Sequence, residues 1–467
     1  MSPHLATIVC AFVILGLFLL ERDRGVRTSK ALWIPTVWVL IAASRMVSGW
    51  LQTAPQIQTA DQYVDGSPLD RFILGALLAA AIVVLLCRGR RVSAILRMNW
   101  PILLFFSYCV VSTLWSDYPD VAFKRWMKAL GDLVMVLIVL TDHDRSAAIK
   151  RLLARVGFLL VPLSVLFIEY YPHLGQVYSP EEGISVYTGV TMNKNTLGRL
   201  CLVIGLASAW RLVSLFRDNF HRIRHWVAHG AVLAMVLWLL WMANSATSTA
   251  SFLLGLAVIV FVSLPGKRRR ARALLLIGGM ASIALLVFVL PDVYAFVVQA
   301  LGRSTTLTGR TKLWDALLSM HTNPWIGTGF TSFWLGGRLE KIWSLYGWQP
   351  NEAHNGYLEI YLNLGWIGLT MLALFLAAGY RNVVATLRRD PEAGSLRLGF
   401  FVVALAYNFT ESAFRMMIPV WIFLLWAVIA VPQPLYHEGS IDSAAEDPEA
   451  FQYDLAVVRT GTHEEIV

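Results

Sequence analysis

Between Leu301 and Gly368 a polar, cationic stretch interrupts a chain of otherwise long apolar runs. It carries Arg303, Arg310 and Lys312, then Asn351-Glu352-Ala353-His354-Asn355-Gly356-Tyr357-Leu358-Glu359. Guanidinium forks grip phosphate oxygens in pairs, and imidazole is the side chain that exchanges a proton near neutral pH. Together they suit chemistry on an anionic, lipid-borne substrate. The spacing predicts a helix beginning at Pro350-Asn351, with Asn351 as its cap and Glu352 and His354 in its first turn. There the positive end of the helix disfavours imidazolium and keeps His354 a neutral proton acceptor. A capping or interfacial histidine is the other reading of the same spacing. Asn355 and Glu359 either orient the ring or contact sugar hydroxyls, or are ordinary first-turn and surface polar residues.

Cations elsewhere extend this set. Lys194, in Met192-Asn193-Lys194-Asn195-Thr196, opens a helix after an outer loop, and Arg199 follows a turn deeper. A charge inside an apolar span must pair or meet an aqueous cavity. Arg303, Arg310 and Lys312 face the side where cations are scarce, so they answer either an anionic headgroup or diphosphate, or a surface resting on anionic lipid. Arg338 and Lys341 fit the lipid-resting role better. Glu411 and Arg415, four apart, read as a structural ion pair. Asp142-His143-Asp144 has the shape of a metal-binding D-x-D element but sits in a short loop without a globular domain. The adjacent Glu181 and Glu182 read as solvated. No zinc pattern, phosphate-binding glycine loop or nucleophile elbow occurs, so no metal and no cofactor is expected. Cys10, Cys87, Cys109 and Cys201 read as packing residues.

The elements that must hold these residues are membrane helices. The chain of 467 residues is 57% hydrophobic and only 15% charged. Apolar runs of about 15–20 residues are what a bilayer demands of spanning segments. About thirteen are expected, at roughly 4–20, 31–50, 71–87, 100–115, 127–141, 153–169, 196–212, 226–243, 250–265, 273–290, 357–379, 397–410 and 416–432. The predicted fold is therefore an all-α, polytopic transmembrane protein of about 12–13 spanning helices. Most of the 39 Lys and Arg cluster at alternate junctions. By the positive-inside rule those junctions are cytoplasmic, which puts the N-terminus and the 291–356 loop outside and the C-terminus inside. The net charge of +9 is thus a topology signal, and nucleic acid is not an expected partner.

Three regions follow: a membrane body over 1–435, a large outer loop over 291–356 inserted in it, and an acidic, disordered cytoplasmic tail over 436–467. Within the loop, Thr311–His321 reads as a short amphipathic helix with Leu313, Leu317 and Met320 on one side and Trp314 at headgroup level. Asn323-Pro324 ends it, and Gly327-Thr328-Gly329-Phe330 reads as a turn.

At these residues the chain resembles the O-antigen ligase and polysaccharide polymerase superfamily of bacterial inner-membrane glycosyltransferases. The resemblance rests on T-G-R-x-x-x-W at Thr308–Trp314, P-W-I-G-T-G-F at Pro324–Phe330, the block from His354 to Leu369, and N-K-N-T-L-G at Asn193–Gly198. Trp115-Ser116-Asp117 followed by Lys124-Arg125 resembles the ExoQ-type exopolysaccharide-production proteins. The resemblance implies an undecaprenyl-diphosphate-linked oligosaccharide donor, a glycan acceptor, and transfer at the periplasmic face by an inverting, metal-independent displacement. It implies His354 as base and Arg310 as diphosphate ligand, with Arg303 and Lys194 in support; Lys312, Asn355, Glu359 and Arg199 complete the expected substrate-binding set. Membrane lipid and a chain-length regulator are further partners to expect. A polymerase is the leading expectation, a ligase acting on lipid A-core or protein the near alternative, and a transporter or flippase of lipid-linked glycan the distant one.

Overall fold

Apolar runs that cannot leave backbone groups unpaired in lipid become helices, and a computed structural model shows this throughout. It describes residues 1–22, 28–53, 66–179, 183–217, 223–264 and 310–432. Met1–Ala430 forms one unit by itself. The expected helix at 273–290, Arg303, Glu181-Glu182, the loop up to residue 309 and the 436–467 tail lie outside the described residues.

Every expected run among the described residues overlaps helix. Seven helices among the described residues are long and apolar enough to cross a membrane: α1 (Pro3–Glu21), α3 (Pro68–Cys87), α7 (Arg145–Tyr170), α8 (Lys194–Arg217), α9 (Ile223–Ala243), α10 (Ala246–Ser263) and α13 (Gly356–Arg389). An eighth span arises if α4 (Gly89–Met98) and the helical stretch Trp100–Trp115 with α5 (Trp100–Val111), bent by 89°, count together. The remaining runs lie on α2 (Trp33–Ala42), α6 (Pro119–Leu140), α14 (Pro391–Tyr407) and α15 (Pro419–Val428). These are short or, in α6, carry Lys124, Arg125 and Lys128 in the first half. Phe72, Leu86 and Trp241 are 75%, 74% and 74% exposed on spanning helices. Such outward apolar faces match lipid as the surrounding solvent. The molecule is a multi-pass, all-α membrane protein, with one two-stranded hairpin, Gln176–Ser179 against Ile184–Tyr187, among the described residues.

Inside, α8 packs between α9 and α10, and α14 lies against α10 and α13. Asp132 stands in the interior of α6, fully buried. It accepts hydrogen bonds from Trp38 Nε1 (2.8 Å) and the Met417 amide (2.9 Å), and so clamps α2 and the segment before α15 to α6. The D-x-D element is likewise structural: Asp142 receives the Ser29 amide and Asp144 caps α7 through Ala147 N (2.9 Å).

The segment from Arg310 to Leu362, the outer segment of the sequence reading, has its own core. α11 (Arg310–Leu318) and α12 (Gly336–Leu345) bury Leu313, Leu317, Leu339 and Ile342 with Phe333, Trp334, Ala353 and Leu362. Trp314 is turned into this cluster and donates to the Ala353 carbonyl (2.7 Å). The Pro324–Phe330 turn is stitched into a break in α13. Gly365 has φ 64° and ψ −164°, which leaves helical amides and carbonyls without partners on either side. The turn supplies them. Trp366 N and Ile367 N donate to the Pro324 and Trp325 carbonyls (2.8 and 3.1 Å), while Thr328 N and Gly329 N donate to those of Leu362 and Asn363 (3.1 and 2.9 Å). A Cβ on Gly365 would lie 2.3 Å from the Trp325 backbone, and one on Gly327 2.4 Å from the Asn363 backbone. Both positions also need positive φ, so glycine is the residue that fits.

Candidate active site

The segment bearing His354 is set by a cap one turn later than the sequence suggests. α13 starts at Gly356, and Asn355, not Asn351, is its N-cap, with Oδ1 accepting from Tyr357 N and Leu358 N (both 3.0 Å). Tertiary docking chooses between the two asparagines. Gly356 N reaches the Asn408 and Glu411 carbonyls (2.8 and 3.1 Å), and Asn355 N reaches Ser412 Oγ (3.1 Å). Asn408 Oδ1 in turn accepts from Ala413 N and Phe414 N (2.8 and 2.9 Å), which fixes the turn after α14. His354 therefore precedes the helix, in a left-handed conformation of φ 50° that a non-glycine residue holds only under constraint.

That docking brings Glu411 to His354. Glu411 Oε2 lies 3.5 Å from His354 Nδ1, and Glu352 Oε1 lies 3.4 Å from the same nitrogen. These are long contacts for hydrogen bonds but close for charges. Each carboxylate has a guanidinium behind it: Arg310 Nη2 is 2.9 Å from Glu411 Oε1, and Arg415 Nη1 is 2.9 Å from Glu352 Oε2. Arg310 Nη1 also donates to the Thr410 carbonyl. Asn195, next to Lys194 at the start of α8, donates to Glu411 Oε1 (3.4 Å). Arg199 acts on Glu411 through its charge while its Nη2 donates to Thr196 Oγ1 (3.0 Å). The Trp348 ring lies 5.9 Å from the imidazole.

The electrostatics reverse one expectation. Burial pushes the His354 pKa down, but the Glu411 hydrogen bond and the Glu352 and Glu411 charges outweigh both burial and Arg310, and the net shift is upward. For Glu411, burial pushes up and is outweighed by His354, Arg310 and Arg199, so its pKa falls. The helix-end reading of a ring kept neutral does not hold, because His354 lies outside the first turn and faces two carboxylates.

Several residues expected to bind substrate turn out to hold the scaffold. Asn355 spends its oxygen on the cap and its Nδ2 on the Phe409 carbonyl (3.3 Å). Glu359 is 4% exposed and accepts from Trp334 Nε1 and Ala353 N (both 2.8 Å) and from Asn363 Nδ2 (3.2 Å), bonds that hold the scaffold. Arg310, Arg199 and the N-terminus of α8 carrying Lys194 converge on Glu411, while Lys312 is exposed on α11. Glu411 and Arg415, expected to pair at helical four-residue spacing, lie in a non-helical stretch over 408–418, where Glu411 pairs with Arg310 and Arg415 with Glu352. Glu411 and Glu352 are the site residues the sequence reading missed. Arg338 pairs with Asp117 (2.6 Å). With Trp115 Nε1 on the Ile326 carbonyl (3.3 Å) and Ser116 Oγ on Ser332 Oγ (2.7 Å), the Trp115-Ser116-Asp117 element cradles the outer segment.

Glu352, His354 and Glu411 each bring one ligand atom within 4.8 Å of the others, a spacing compatible with a metal ion. Their charges argue otherwise. Arg310, Arg415 and Arg199 already give three guanidinium groups for two carboxylates. A divalent cation would enter a cluster that is cationic before it arrives, and would compete with both ion pairs.

A family model described as O-antigen ligase matches residues 230–373, which include Arg310 and His354. Among curated relatives, the exopolysaccharide production protein ExoQ of Rhizobium meliloti (strain 1021) is 26% identical over 62% of this chain and 67% of its own length. The teichuronic acid biosynthesis protein TuaE of Bacillus subtilis (strain 168) is 22% identical over 92% of each chain. The fold is that of a multi-pass, all-α membrane protein, and the chain is similar to the O-antigen ligase family over residues 230–373 and to these two relatives.

Proposed function

We propose that this protein is a polymerase that extends a glycan at the periplasmic face of a bacterial inner membrane, using an undecaprenyl-diphosphate-linked oligosaccharide as donor. An acceptor hydroxyl attacks the anomeric carbon, its proton passes to His354, and the bond from that carbon to the diphosphate breaks with inversion. The observation that carries this reading is the position of His354 Nδ1 between two carboxylates, with a guanidinium one residue shell away. Nδ1 is thereby committed, so Nε2 meets the hydroxyl, and Glu411 and Glu352 stabilise the imidazolium that forms. Arg310, with Arg303 and Lys194 nearby in sequence or fold, balances the charge on the departing diphosphate. A diphosphate leaves readily by itself, so neither nucleotide nor metal is needed.

The test is His354→Ala in proteoliposomes supplied with a defined lipid-linked donor. Glycosidic bond formation should fall by about 10²–10⁴-fold, the usual contribution of a positioned base, while donor binding persists. Wild-type turnover would overturn the assignment. The second reading, a ligase, is favoured by the description of the matched family, whereas the names of both relatives favour polymer synthesis. Loss of the protein leaves single repeats on the carrier in the first case and finished chains in the second. Movement of labelled lipid without any new glycosidic bond would instead mark a flippase.

A further inference from the structure

Arg310 meets a diphosphate only in competition with Glu411. Two of its five N–H groups are committed, one on Nη2 to Glu411 Oε1 and one on Nη1 to the Thr410 carbonyl, and its charge is already matched by the Glu411 carboxylate. A strong grip on phosphate oxygens needs that charge and the Nη2 edge of the fork released. The carbonyl belongs to a fixed turn, whereas the Glu411 carboxylate has other donors to turn to. Asn195 Nδ2 already reaches Oε1 at 3.4 Å, Arg199 contributes its charge, and His354 Nδ1 lies 3.5 Å from Oε2 with room to close.

We propose that Arg310 changes partners during the reaction: on donor binding its guanidinium leaves Glu411 for the diphosphate, and the released carboxylate closes on His354 Nδ1. Donor and base are thereby coupled. In the resting protein the positive charge of Arg310 opposes proton uptake by His354, and the charges of Glu411 and Glu352 favour it. Withdrawing Arg310 toward an anion removes the opposing influence and leaves Glu411 to act on the ring alone. Arg415 stays on Glu352, so the second carboxylate is unaffected. His354 is therefore the stronger base once a donor is seated. Glu411 is in this account a positioning residue that competes with substrate for one arginine. The inference rests on the proposed diphosphate donor and on His354 as its base.

Binding of undecaprenyl diphosphate to the full-length protein in nanodiscs separates the two ideas. Glu411→Gln removes the competing charge, so it should tighten the dissociation constant by about tenfold and at the same time lower kcat. Arg310→Gln should weaken binding, and adding Glu411→Gln to it should change binding no further. Glu411→Asp, which draws the carboxylate back by one methylene, should shift affinity in the same direction by less, and serves if the glutamine variant fails to insert. Unchanged or weakened binding in Glu411→Gln, or tightening that survives in the Arg310→Gln background, overturns the exchange. Failure of the underlying function looks different: wild-type protein that does not bind the diphosphate lipid, or His354→Ala with full turnover.

Discussion

Glu359 offers the sharpest separation between a side chain that holds the site and one that touches substrate. Its Oε1 takes both strong bonds, from Trp334 Nε1 and Ala353 N at 2.8 Å, and its Oε2 takes Asn363 Nδ2 at 3.2 Å. Truncation to alanine leaves the Trp334 and Ala353 donors without an acceptor, at about 1–3 kcal/mol each, while Asn363 Nδ2 keeps the Glu359 backbone carbonyl (2.8 Å). Part of that is returned because a buried carboxylate no longer has to be desolvated. A net loss of roughly 3 kcal/mol is expected. Glutamine is a finer probe. With its carbonyl in the Oε1 position it keeps both short bonds, and only its amide opposes Asn363 Nδ2. Asn363 cannot flip to relieve that clash, because its Oδ1 accepts from Phe333 N (3.0 Å). Glu359→Gln should therefore cost about 1 kcal/mol. The assay is thermal unfolding of detergent-solubilised protein alongside steady-state transfer kinetics. Both variants should melt earlier in the order alanine before glutamine, and kcat should fall with KM little changed, since Ala353 carries His354 at its carbonyl end. An alanine variant that melts with wild type and differs only in KM would refute the scaffold role and restore the sugar contact.

Three further outcomes are expected. A base with a raised pKa is protonated over a wider range, so transfer should fall away on acidification at a higher pH than an ordinary imidazole near 6.5 would give; Glu352→Gln, which removes a raising charge, should move that limb to lower pH, and a limb that stays or rises counts against the assigned pair. Arg310→Lys keeps the charge but not the fork that spans Thr410 and Glu411, so activity should drop by about tenfold or more; full activity would mean that a point charge suffices. Gly365→Ala places a Cβ 2.3 Å from the Trp325 backbone in a left-handed residue, and should reduce the yield of folded protein in fluorescence-detected size exclusion; normal yield would show that the break tolerates a side chain.

The helices were legible because lipid imposes one rule on every spanning segment, and length with apolarity expresses it directly. His354 and Arg310 were legible by residue type, since few side chains move protons or grip phosphate. What the sequence hid are contacts made by docking. Glu411 reaches His354 across 57 positions, and nothing local marks it. Its apparent partner, Arg415, was inferred from a helical spacing that the non-helical turn at 408–418 does not have. The cap was misplaced for a related reason. Asn351 and Asn355 are equally good caps by chemistry, and Asn408 and Ser412, distant in sequence, decide between them. Asn355 and Glu359 carried the right polarity but serve neighbouring backbone and indole groups, which only the packed segment reveals.

The stitched break at Gly365 has a mechanical consequence. The Pro324–Phe330 turn bonds to Leu362 and Asn363 before the gap and to Trp366 and Ile367 after it, so it splints the nine residues from Gly356 to Leu364 to the span that follows. His354, carried at their leading end, is thereby anchored through a side strap as well as through its own helix. The two glycines at 327 and 365 act as reciprocal locks, since enlarging either one presses on the backbone that the other keeps clear.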